Sequence, residues 1–89
     1  MRNANDSMLL KIADITLAAI KKYLTTYRSH KIPEKDFVEA AKECMENPYL
    51  WTKENIKAYS DALKRNKLLK EARELNRAYS RLRQIVEGS

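Results

Sequence analysis

KRNKLLKEARELNRAYSRLRQIV, residues 64–86, is the stretch whose periodicity sets the architecture. Leu68, Ala72, Leu75, Tyr79, Leu82 and Val86 recur at intervals of 4, 3, 4, 3 and 4 residues, the seam of a packed helix. At about 100° per residue, Lys70, Arg73, Arg77 and Arg81 fall on the side away from that seam. The stretch holds Lys64, Arg65, Lys67, Lys70, Arg73, Arg77, Arg81 and Arg83 against only Glu71 and Glu74. That surplus of six equals the net charge of the whole chain, +6, so the remainder is neutral in sum.

Working upstream, no Gly or Pro occurs between Lys53 and Glu87, so one helix of about 53 Å is conceivable. A compact domain of this size has a radius of gyration near 12 Å, and such a helix would project beyond it. Phase argues further. The Ile56, Tyr59 and Leu63 stripe would point away from Leu68, Leu75 and Leu82 in a continuous helix. A break is therefore expected at Lys64–Lys67, with Asn66 as the residue best suited to a left-handed conformation. The alternative is an unbroken helix whose halves pack against different neighbours, one in a second chain.

The rest of the chain reads as helices too. Residues 1–6 are polar and expected to be disordered, with Asp6 or Ser7 capping a first helix that runs to about Ser29. Leu9, Ile12, Ala13, Thr16, Ile20, Tyr23 and Tyr27 line one side, and Leu10, Leu17 and Leu24 widen the stripe past half the circumference. Such width predicts packing on two sides, in a bundle centre or a dimer. Pro33 suits the first turn of a second helix, followed by Glu34 and Asp36 at the positive end of its dipole. Phe37, Val38, Ala41, Cys44 and Met45 make its buried face, and Asn47-Pro48 ends it. Tyr49, Leu50 and Trp51 then form an apolar connection, expected to fold over the bundle end, with Thr52 capping the third helix.

The prediction is an all-α, single-domain chain: a small antiparallel bundle of four helices near 7–29, 33–47, 52–65 and 67–87, or three if 53–87 is continuous. One Gly and two Pro among 89 residues agree with that class. The single cysteine excludes an internal disulfide and fits a reducing, cytoplasmic setting. Lys11 and Asp14 interrupt the apolar run Met8–Ile20, which argues against a signal peptide and a membrane span.

Catalytic constellations are lacking. Cys44 lies on an apolar face, where a thiol is ordinarily a small core residue. His30 is the only histidine, and one Cys with one His does not make a zinc site of usual composition. Glu39, Glu43 and Glu46 have no histidine partner and read as a solvated acidic face. Gly88 alone cannot build a phosphate loop. No enzyme, metal or cofactor is expected.

Binding is the remaining chemistry. A helix-turn-helix with Lys53, Asn55 and Lys57 opening a recognition helix meets a turn longer and more apolar than usual. Tyr23, Tyr27, Tyr59 and Tyr79 fall on apolar stripes and read as core rather than stacking platforms. The basic last helix has a bland reading, a solvated face that keeps the bundle dispersed. Against it, every basic residue from Arg73 to Arg83 is arginine, whose fork binds phosphate or carboxylate bidentately. The leading expectation is therefore nucleic-acid binding, DNA or RNA, through backbone contacts by Lys67, Lys70, Arg73, Arg77 and Arg81. The same basic helix could instead dock on an acidic protein surface. The alternative function is a small protein-interaction module, an adaptor, inhibitor or assembly factor forming a homodimer or a tight complex, with helix 1, Tyr49 and Trp51 as the interface.

Overall fold

The computed structural model describes residues 4–88, with side chains from residue 6 onward. Four helices follow one another: α1 (Ala4–Arg28), α2 (Glu34–Glu46), α3 (Lys53–Arg65) and α4 (Leu69–Glu87), so the chain is an all-α bundle. It is longer than a compact sphere, 46 × 24 × 18 Å with a radius of gyration of 13.5 Å, because α1 alone has 25 residues.

The break before α4 falls where phase requires it, but not through the expected residue. Lys67 is left-handed, with φ 63°, whereas Asn66 has φ −98° and ψ 16°. The amide of Leu68 donates to the Leu63 carbonyl at 2.8 Å and that of Lys67 to Lys64 at 3.0 Å. These are the two bonds of a Schellman ending, with lysine where glycine is usual. Asn66 is held by its side chain instead. Its Nδ2 donates to the Ala62 carbonyl at 2.8 Å and to Asp6 Oδ2 at 3.2 Å, which holds it as the C-cap of α3. The reversal therefore passes to the next residue.

That contact also corrects the start of the chain. Asp6 is not a cap: α1 already begins at Ala4, and the Asp6 carboxylate takes Arg65 in a two-pronged pair at 2.8 and 3.2 Å. Ala4–Asp6, expected to be disordered, are helical, while residues 1–3 lie outside the described residues. Hydrogen bonding from Arg65 holds the Asp6 carboxyl below its ordinary range. A carboxylate so depressed stabilises the fold above roughly pH 4, and that contribution fades as pH falls through the lowered value.

Direction follows from these contacts. Asp6 lies by Asn66, and Lys21 pairs with Glu74 at 3.1 Å, so α1 and α4 run the same way. Asn76 donates to the buried Ser60 hydroxyl at 2.9 Å, with α3 running opposite to both. The wide stripe of α1 is satisfied mostly within the protomer. Leu10, Ala13, Thr16, Leu17, Ile20 and Leu24 are buried, and α1 packs against both α3 and α4. Met8 and Ile15 remain 66% and 68% exposed.

Pro33 precedes α2 rather than opening it; its ψ of 141° marks the extended residue before the helix. Phe37, Val38 and Ala41 go inward, and Phe37 meets Tyr27 edge-on with ring centres 5.0 Å apart. After Asn47 the chain folds back, and the Trp51 amide donates to the Cys44 carbonyl at 2.9 Å. Trp51 is only 6% exposed, stacked edge-on against Tyr23 at 5.1 Å, and its carbonyl accepts from the Tyr79 hydroxyl at 3.0 Å. Thr52 caps α3 as expected, accepting from the Asn55 amide at 3.1 Å.

Two stability outcomes follow. Lys67→Gly should stabilise the fold by about 0.5–1 kcal/mol, read from urea unfolding, because glycine removes the left-handed penalty of an L side chain. Trp51→Ala should cost about 3–5 kcal/mol in the same assay, since it removes a buried ring packed edge-on against Tyr23 and leaves a cavity.

Candidate polyanion-binding face

α4 turns Ala72, Leu75, Ala78, Tyr79, Leu82 and Val86 into the core. Its other side is the basic one, and the expected contact residues Lys67, Lys70, Arg73, Arg77 and Arg81 are all exposed. Lys70 to Arg81 spans about 16 Å of helix. Among the described residues none of these five side chains is joined to a carboxylate. Two basic residues of the stretch do find acids, Arg65 at the end of α3 and Arg83 nearer the core edge of α4. Arg65 takes Asp6, and Arg83 takes Glu87 at 2.7 Å while lying 6.0 Å from the centre of the Tyr79 ring. Along α4 the division follows angle: Arg83, near the core edge, is used internally, and among the described residues the arginines at the crest are joined to no carboxylate.

Glu74 is the acid nearest the row, one turn from Arg77 and Lys70. It is committed elsewhere, to Lys21 across the α1–α4 contact. Beside that pair lies an open groove of about 670 Å³ between the two helices. Leu24 and Ala78 are buried members of its lining; Arg28, Arg77, Arg81, Ser80 and Gln84 are exposed ones. Arg28 is the participant that sequence reasoning missed. It is 49 positions from Arg77, and only the parallel course of α1 and α4 brings them to one groove. The available signal was weak: an arginine in the last turn of α1, which ordinarily just complements the helix dipole.

The other candidates separate. Tyr49 is 87% exposed, whereas Trp51, expected beside it at an interface, is core and has little surface to offer. The turn that presents Tyr49 is well braced. Asn47 Oδ1 accepts from the Tyr49 amide at 2.8 Å, and Asn55 Nδ2 donates to the carbonyls of Pro48 and Leu50 at 2.9 and 2.8 Å. Asn55 is therefore spent on the turn, and Lys57 is paired with Asp61 at 2.8 Å, which weakens a helix-turn-helix reading of α3. Tyr59 and Tyr79 are buried, and Tyr23 and Tyr27 are half-buried.

Cys44 is half-buried with its Sγ 3.8 Å from the Tyr23 hydroxyl, and burial with that contact pushes the tyrosine up from its ordinary value. Glu39, Glu43 and Glu46 are exposed on α2. Among the described residues no group of three His, Cys, Asp or Glu side chains is placed to hold a metal ion, and no helix is long and apolar enough to cross a membrane. Comparison with protein-family models, curated proteins and solved structures finds no match to this chain.

Proposed function

We propose that this chain is a non-enzymatic nucleic-acid-binding module that grips the phosphate backbone with the outer face of α4. The observation that carries the reading is the row Lys70, Arg73, Arg77 and Arg81, exposed along one helix with no carboxylate joined to it among the described residues. Surface cations that merely keep a protein dispersed gain from interspersed acids, each helix-surface pair contributing tenths of a kcal/mol. Here Glu74, one turn from both Lys70 and Arg77, pairs across to α1 instead. Arginine forks suit phosphate oxygens, and contacts of this kind position a protein on nucleic acid without reading sequence.

Binding of an unrelated-sequence DNA or RNA should weaken steeply with salt, with a log–log slope of about −3 to −4 for four contacts. The variant carrying Arg73→Glu, Arg77→Glu and Arg81→Glu should lose binding while keeping its helical circular dichroism and unfolding midpoint. A flat salt dependence, or undiminished binding by the triple variant, would overturn the assignment.

A second reading has its own observation. Tyr49 is 87% exposed on a braced turn, and Met8 and Ile15 lie one above the other on α1 at 66% and 68% exposure. An exposed aromatic on a rigid support suits a protein contact, with a second copy or another chain. On that reading Tyr49→Ala and Ile15→Asp should leave stability within about 0.5 kcal/mol, as surface changes do, yet convert a dimer to a monomer in light scattering. A wild-type protein already monomeric at high micromolar concentration would remove the homodimer.

A further inference from the structure

Resting on the nucleic-acid reading above, we infer that the partner is a double helix, held on one strand's phosphates by the α1–α4 groove, with Arg28 of α1 as a contact and Glu74 as a brake. Two walls make the site. Arg77 and Arg81 stand on α4, one turn apart and therefore about 6 Å along the axis. Arg28 stands across the same groove on α1, and the α4 wall adds the uncharged donors Ser80 and Gln84. Cations on both walls of a concave surface reinforce one another at a phosphate between them, which a single convex helix does not achieve.

The choice of a duplex follows from charge density and from the aromatic side chains. Over the roughly 16 Å that the row spans, a double helix carries about ten phosphate charges, both strands counted, and a single strand about half as many, so the contacted strand of a duplex sits in the stronger field. Proteins that prefer single strands add aromatic platforms to a basic groove, and base stacking supplies much of their affinity. Among the described residues no aromatic side chain lines this groove. The strongly exposed tyrosine, Tyr49, belongs to the turn between α2 and α3. Electrostatic contact alone remains, and it favours the denser polyanion.

Glu74 lines the same groove and neutralises Lys21 at 3.1 Å. A carboxylate there repels phosphate, and its removal frees a lysine on the α1 wall.

The test is a titration of the full chain with a labelled duplex and with each of its strands, over a series of salt concentrations. The duplex should bind at least about fivefold tighter than either strand at low salt. Arg28→Gln should weaken duplex binding about threefold to tenfold and make the salt slope shallower by about one. Lys35→Gln, which deletes an exposed cation on α2 outside the groove, should leave the slope unchanged. Glu74→Gln should tighten binding. A helix-dipole role for Arg28 would appear as a lower unfolding midpoint with an unaltered slope, and that result would overturn the inference. Tighter binding of a single strand, or no gain from Glu74→Gln, would overturn it too. If the Arg73, Arg77 and Arg81 triple variant loses binding while Arg28→Gln does not, the groove is wrong and the α4 reading stands. Absence of any binding by the wild type at low salt would remove both.

Discussion

Reversing the chain between α3 and α4 is the constraint on which the architecture depends. Lys67 occupies a backbone region where an L side chain costs about 1–2 kcal/mol, and only a dense set of local bonds holds it there. Leu68 and Lys67 close the helix end from the chain side, and Asn66 closes it from the side-chain side. Asp6 then reaches across from α1 to take both Asn66 and Arg65. One corner thus joins three helices. With it in place, α4 is laid alongside α1 in the same direction, and its two faces are assigned at once.

That assignment produces both the core and the candidate site. A helix whose leucines and tyrosine face inward must carry its opposite stripe outward, and here the opposite stripe is lysine and arginine. Basic residues near the boundary are absorbed: Arg83 folds over Tyr79 and onto Glu87. Those at the crest have no acid within the protomer among the described residues. At the far end, α2 and the 47–52 turn cover the bundle through Phe37, Tyr23 and Trp51, whose rings meet edge-on or tilted. Stability and surface chemistry therefore lie on opposite sides of the same helix, and the proposed contacts can be altered without touching the core.

The helices, the break between α3 and α4, and the basic outer face of α4 were legible in the sequence. Each depends on neighbours within a turn or two: the 4-3 spacing of Leu68 to Val86, Pro48 after Asn47, and Thr52 before Lys53. Misjudgements occurred where a distant residue outweighed a local preference. Asn66 has the better left-handed propensity, yet Asp6, 60 positions away, claims its amide and passes the strain to Lys67. Asp6 has a good capping side chain, yet a guanidinium 59 positions away outbids the free amides of the first turn. Trp51 and Tyr49 are indistinguishable as neighbours in a loop, and only the return of the chain onto Cys44 decides which is swallowed.

The sequence by itself determined that this chain folds as helices with one amphipathic, arginine-crested segment, because hydrophobic period and charge phase are properties of a single helix. Tertiary structure alone decided that α1 runs parallel to α4, that Lys21 removes Glu74 from the arginine row, and that Arg28 shares a groove with Arg77 and Arg81. The reason is physical: side-chain direction along one helix follows from a fixed rotation per residue, whereas which helices meet, and which charges pair between them, follows only from how the whole core closes.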